Sequence, residues 1–133
     1  MAIASKKTQA PSYSRIRFVI EFADKGSCEG ELVRHLAPFT ILKITKLQSF
    51  QGLLTEDKDS IVLLINISTG LEKPKKMFRK GDLGYFPIDD SLHIFRNDAV
   101  LSRPMNHLGY VKSNLELLRS VRAGDSAKIA ILM

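Results

Sequence analysis

The sequence predicts a mainly β domain, an antiparallel barrel or sandwich of about seven or eight short strands with two helical caps. Three observations carry that prediction. Apolar residues alternate over short runs, most cleanly in Arg15–Phe22. Turn chemistry separates the runs, as at Asp24-Lys25-Gly26 and Asp89-Asp90. Only two stretches carry a helical period, and the strands do not alternate with them, which argues against a doubly wound parallel sheet.

In the first strand Ile16, Phe18, Ile20 and Phe22 share one face, and Arg15, Arg17 and Glu21 the other. Gly26 suits the tight turn that follows, and Cys28 to Val33 returns as a second strand. Pro38 lacks an N–H and has a fixed φ, so it opens a helix at its first position. Phe39, Ile41, Leu42, Ile44, Leu47 and Phe50 then form a broad apolar face. Ala37 is a poor N-cap for that helix. Ile61 to Ile67 is an apolar run broken only by Asn66, which fits a strand covered on both faces. A basic loop follows. Lys80 to Phe95 reads as strand, Asp-Asp turn, strand, with Pro87 placing the first of these at an edge or an end. Val100 to Asn106 is expected as a loop and His107 to Val111 as a short strand. Ser113-Asn114-Leu115-Glu116 has the pattern of a capping box, with Leu115, Leu117, Leu118 and Val121 as a buried stripe and Gly124 as the stop. Ser126 to Leu132 is the last strand.

The chain has 133 residues, a length that fits one domain with a sizeable core. Residues 1–14, rich in Ser, Thr, Pro and Lys, are expected as a flexible arm, and residues 15–133 as the domain. The N-terminus has no apolar stretch of the secretory kind, and no apolar run approaches the ~20 residues a membrane helix needs. A single cysteine, Cys28, permits no internal disulfide, and with these features a cytoplasmic setting is expected. Cys28 is expected as a buried structural thiol.

Formal net charge is +6, which permits binding to nucleic acid or another anionic partner without establishing it. Lys73, Lys75, Lys76, Arg79 and Lys80 are the dense basic cluster, either a solvated loop or a phosphate-binding patch. His35, His93 and His107 lack ligand spacing, so no metal and no cofactor are expected. His93 lies in an apolar strand, as a satisfied wall histidine or as a donor lining a groove. The strand alternates, so His93 and Phe95 share one face and Leu92 and Ile94 the other; which face looks inward stays open. Gly81-Asp82, Asp89-Asp90 and Gly124-Asp125 are expected as turns.

Three motifs in order carry a family resemblance. "APFTILKITKLQSF" resembles the cyclophilin element that ends the second strand and opens a helix plugging a barrel mouth. "HLGYVKSNLELLRSVRAGD" is similar to the Gly-centred strand and second plug helix of cyclophilins. "GDLGYFPIDDSLHIF" resembles a segment of short prokaryotic cyclophilin-like domains of unknown function. The resemblance, over roughly residues 15 to 132, implies a closed antiparallel β-barrel of about eight strands with two capping α-helices. Closure would leave few open strand edges.

The resemblance also implies an outer-wall groove, here near Arg79, Tyr85, Phe86, Leu92, His93, Ile94 and Phe95. Its catalytic equipment is mostly missing. The Phe-His-Arg motif and the Gln-Gly-Gly-Asp run are absent, and Phe78-Arg79 is the nearest echo. Ser91-Leu92-His93-Ile94-Phe95 looks like the cyclophilin Ser-Gln-Phe-Phe strand, but Leu replaces the Gln amide, and the chain has no Trp. A binding module for a peptide or small apolar ligand, without catalytic residues, is therefore expected ahead of a weak peptidyl-prolyl isomerase. Nucleic-acid binding through Lys73 to Lys80 is the third possibility.

Overall fold

Alternation in the first strand becomes a wall of the core. In β1 (Arg15–Phe22) Ile16, Phe18, Ile20 and Phe22 are all buried. The computed structural model describes residues 14–132, so the arm expected over residues 1–14 lies outside the described residues except for Ser14. β1 pairs antiparallel with β2 (Gly26–Val33) on one side and β10 (Ser126–Leu132) on the other. Asp24 and Gly26 take the positive φ that the connecting turn requires.

The remaining strands are β3 (Ser49–Leu53), β4 (Thr55–Glu56), β5 (Ser60–Leu64), β6 (Lys75–Phe78), β7 (Asp82–Phe86), β8 (Ser91–Phe95) and β9 (Ala99–Val111). The ladder runs β3-β10-β1-β2-β9-β7-β8-β5-β4, with β6 pairing β9 off this path. This path is open, which corrects the expected closed barrel. Its two end strands, β3 and β4, do not pair with each other; they are joined along the chain through Leu54. The sheet therefore curls until its ends meet covalently rather than through a ladder. Leu54 exchanges hydrogen bonds with the turn before β10, at 2.8 Å to Asp125 O and 2.8 Å from Gly124 N, and only two residues remain for β4 to pair with β5.

Over the described residues 15–132 one α-helix is present where two were expected. α1 (Pro38–Leu47) starts at Pro38 as expected but ends before Phe50, which instead sits in β3 opposite Ile129. Ile41 and Ile44 are buried, whereas Phe39 is 71% exposed, so the apolar face is narrower than its sequence pattern. Ala37 offers no side-chain cap. Glu72 replaces it: its carboxylate accepts from Phe39 N at 2.9 Å and from Thr40 N at 2.8 Å. A negative charge on those free N–H groups also opposes the positive end of the helix dipole.

The expected capping box does not form. Ser113 Oγ accepts from Glu29 N of β2 at 3.1 Å, Asn114 turns to the left-handed region at φ 61, and only a five-residue 3-10 turn, Leu115–Arg119, follows. The stripe still packs inward through Leu118 and Val121. Two further corrections concern strands. Beyond Ile61 and Leu63 the run alternates, with Leu64 68% exposed, so it is not covered on both faces. The expected loop over 100–106 is the first half of β9, a 13-residue strand.

β9 belongs to two layers. Its last part pairs with β2 and β7 in the main sheet, and its first part pairs with β6 as an outer ribbon. Two apolar clusters result. The main one is enclosed by the curled sheet and includes Phe18, Ile20, Ile41, Leu83, Tyr85, Leu92 and Ile94. The second lies under the ribbon and consists of Phe78, Phe95, Ala99 and Met105, with Phe86 and Leu101 against it.

Candidate functional site

Alternation disperses the expected groove. Leu83 and Tyr85 of β7 and Leu92 and Ile94 of β8 face the main core, and Tyr85, Leu92 and Ile94 are fully buried there. They do not line an outer wall. The other face of β8 carries Ser91, His93 and Phe95, and the outer cluster covers Phe95. Phe86 is partly buried against that cluster. Of the expected groove residues, only Arg79 lies in the large surface cleft.

That cleft lies one layer out, beside β6. It measures about 1140 Å³ and is lined from one side by Lys75, Lys76, Met77, Phe78 and Arg79. Asp98, Ala99 and Val100 line it from β9 and its approach, and Asp82 and His107 complete it. Part of the expected basic loop is thus strand. Alternation in β6 explains the lining: Phe78 is buried in the outer cluster, while Met77 stands out at 70% exposure opposite Val100 at 77%. Phe78 stacks on Phe95 with ring centroids 4.7 Å apart, and Lys75 Nζ lies 4.9 Å from the Phe78 centroid. Gly84 of β7 makes room beneath, because a Cβ there would sit 2.5 Å from Met105 Sδ.

The basic residues separate by role. Lys73 Nζ donates to His35 O at 2.6 Å, which ties the strap after β5 to the start of the helix region. Lys75 lies 3.9 Å from Asp82 Oδ2. Among the described residues the charged ends of Lys76, Arg79 and Lys80 have no ion-pair partner. Lys76 and Arg79 therefore give the cleft a cationic rim beside exposed apolar side chains.

Asp82 and His107 were not expected as a pair. His107 Nε2 lies 3.5 Å from Asp82 Oδ1 and 3.0 Å from Gly109 O. The His107 ring also meets Phe78 edge-on at 5.6 Å. A register shift between Leu83 and Gly84 opposite β9 makes this possible. Leu83 opposes Gly109 and Gly84 opposes His107, so Leu108 is extra and enters the main core, leaving His107 on the outer side with Asp82. Burial alone pushes the Asp82 carboxyl up. Hydrogen bonds from His107 and the Arg79 N–H, with the charge of Lys75 and that of the His107 ring when it is protonated, outweigh it and hold the group below its ordinary value. The expected Gly81-Asp82 turn is real as well: Arg79 N donates to Asp82 Oδ2 at 2.9 Å.

His93 is a satisfied wall histidine. Its Nδ1 is 2.9 Å from Ser60 Oγ and its Nε2 is 3.0 Å from Ser91 Oγ, and Ser91 in turn donates to Asp89. Burial favours the neutral ring and lowers its pKa against the pull of Asp57 and Asp89. Burial likewise pushes the Cys28 thiol up to about 11, so it is not a reactive thiolate at neutral pH. Among the described residues no cluster of three or more His, Cys, Asp or Glu is placed to hold a metal, and no helix is long and apolar enough to cross a membrane.

No protein-family model matches the chain, and no curated protein matches it. Solved structures do. The solution structure of the hypothetical protein AF2241 from Archaeoglobus fulgidus matches with a TM-score of 0.72 and 22% identity, over 88% of this chain and 95% of that one. The structure of McbB in complex with tryptophan matches with a TM-score of 0.72 and 15% identity, over 85% of this chain and 44% of McbB. This chain therefore corresponds to less than half of McbB. At these identities the likeness is one of fold.

Proposed function

We propose that the chain is a binding module of cyclophilin-like type that takes a peptide or small apolar ligand bearing an anionic group. The ligand lies in the cleft beside β6. One observation carries this: cationic ends that have no ion-pair partner among the described residues (Lys76, Arg79) stand next to exposed Met77 and Val100 in a single open cleft. Cleft sites pair apolar walls with a few placed polar groups, and this one has both. McbB, a neighbour in fold, was solved in complex with tryptophan, a molecule that has a carboxylate and an apolar ring.

The two other expectations draw less support. A prolyl isomerase needs a donor over the prolyl amide; Arg79 is at the rim, but Tyr85, Leu92 and Ile94, expected to line the groove, are turned into the core. Nucleic-acid binding would want a ring for base stacking, and Phe78 is buried against Phe95.

The test is an NMR titration of isotope-labelled protein with N-acetyltryptophan and with an Xaa-Pro peptide that has a free carboxylate. Saturable shifts at residues 75–79, 99–100 and 107, lost in the K76A/R79A double variant, are expected. Binding that the double variant leaves unchanged overturns the site. Faster cis–trans exchange of the peptide, reduced by Arg79→Ala, restores the isomerase reading.

A further inference from the structure

His107 meets the requirements of a general base whose orientation is fixed. Both groups near Nε2, the Gly109 carbonyl at 3.0 Å and the Asp82 carboxylate at 3.5 Å, are acceptors. The neutral ring therefore keeps its proton on Nε2 and its lone pair on Nδ1. Among the described residues Nδ1 has no hydrogen-bond partner. The ring lines the cleft, and its side chain is 17% exposed. Asp82 is itself held in place by the Arg79 N–H, so it cannot swing away from the ring without losing that bond. A carboxylate so placed also stabilises the imidazolium that forms when Nδ1 takes a proton.

The surroundings define the substrate. Lys76 and Arg79 suit a carboxylate, and Met77 and Val100 suit an apolar substituent. A 2-oxo acid with an aromatic side chain has both, and between them it has a carbon acid: the C3–H next to its ketone.

We propose that the Asp82–His107 pair makes the cleft a keto–enol tautomerase site for aromatic 2-oxo acids. This rests on the binding reading given above. In the step the C3–H bond breaks and its proton goes to His107 Nδ1. The C–H electron pair becomes the C2=C3 bond, and the carbonyl pair moves onto oxygen as an enolate facing the cationic rim. Proton return to that oxygen gives the enol, and proton return to C3 restores the ketone. No oxidant, reductant or second substrate is consumed. His107 is the catalytic residue; Asp82 is a positioning residue.

The test uses phenylpyruvate in deuterated buffer, with proton NMR following loss of the C3 methylene signal. A general base is worth about 10² to 10⁴ in rate, so exchange about 100-fold above buffer is expected with the native protein. His107→Gln should bring it back to the buffer rate while the β6 binding shifts persist. Asp82→Asn should lower kcat with KM nearly unchanged, whereas K76A should raise KM. Saturable binding with exchange no faster than buffer overturns the tautomerase and leaves the binding reading standing. Absence of both binding and exchange overturns the two together. Rapid exchange that survives His107→Gln overturns the assignment of the base.

Discussion

The two faces of β8 teach opposite lessons. Its inner face gives Leu92 and Ile94 to a cluster enclosed by strands from both ends of the chain. Its outer face gives Phe95 to a cluster of four buried residues under a two-stranded ribbon. Neither face is open to water, yet the outer layer borders a large cleft with charges at its rim. Deep packing makes the inner region intolerant of change. The outer layer buries only four residues, so changes there are expected to leave the main core intact, and ligand sites on folds are commonly of that kind.

The largest effect that would sharpen this contrast lies where β2 pairs with β9. A Cβ at Gly109 would sit 1.9 Å from Glu31 O, and one at Gly30 would sit 2.3 Å from Tyr110 O. Both clashes are with backbone, so neither can be relieved by turning a side chain. Gly109→Ala should cost roughly 3–5 kcal/mol, at the severe end for single substitutions. Gly124→Ala meets nothing within 4 Å and has only its φ of +93 to overcome, so about 1 kcal/mol is expected. Equal urea midpoints for the two variants would show that the β2–β9 pairing is not tightly packed.

Next in size is a pair of phenylalanines. Phe18→Ala opens a hole in the main cluster and should cost about 3–5 kcal/mol. Phe78→Ala removes a ring from the outer cluster, where the ribbon can settle, so about 2–3 kcal/mol is expected. It should also abolish N-acetyltryptophan binding in protein that remains folded. If Phe78→Ala unfolds the protein as readily as Phe18→Ala, the two clusters act as one and the comparison fails.

How much of this was legible in the sequence follows from the range of each signal. Period-two alternation is local, and it located β1, β2, β7, β8 and β10. Capping needs a partner, and partners can be distant. Ser113 had its Glu three places on, but β2 took the hydroxyl first. Ala37 lacked a cap in sequence because Glu72, 32 residues beyond Thr40, supplies it in space. β9 was missed over its first half because Ser102, Arg103 and Pro104 look like loop, and the pairing with β6 that marks the stretch as strand falls on either side of them, at Ala99, Val100 and Met105. The basic residues of the cleft were visible as composition. Asp82 and His107 were not visible as a pair, since Gly-Asp reads as a turn and the register shift that brings the two together leaves no local mark.

A smaller effect is expected where the strap before β6 holds the helix. Glu72 accepts from two helix N–H groups and from Thr40 Oγ1, and its own N–H donates to buried Asn106. Burial pushes its carboxyl up, but these bonds and Lys73 win and hold it below its ordinary value. A depressed folded pKa stabilises the fold above the ordinary carboxyl range and stops doing so as pH falls through the folded value. Glu72→Gln should therefore cost about 1 kcal/mol at pH 7, the usual worth of a cap. That difference should shrink as the pH is taken below 4. A constant difference across that range would mean that charge plays no part in the cap.

The smallest effect tests whether the outer face of β8 is as settled as the inner one. His93 is neutral because burial outweighs the pull of Asp57 and Asp89. In the neutral ring one nitrogen accepts and the other donates. Ser91 gives its hydrogen to Asp89, so it accepts from Nε2, and Ser60 donates to Nδ1. Protonation would put a second hydrogen on the ring and force the Ser60 hydroxyl to turn away. A folded pKa below the ordinary 6.5 makes the unfolded chain the better proton acceptor. Stability is then fully present above 6.5 and declines as pH falls below it, before the carboxylates titrate. The urea midpoint of the native protein should drop between pH 7 and pH 5, and His93→Gln should flatten that slope. A midpoint level across this window in the native protein would mean that the serine pair accommodates the imidazolium without cost. The outer face of β8 would then be the more adaptable of the two even where it is fully buried.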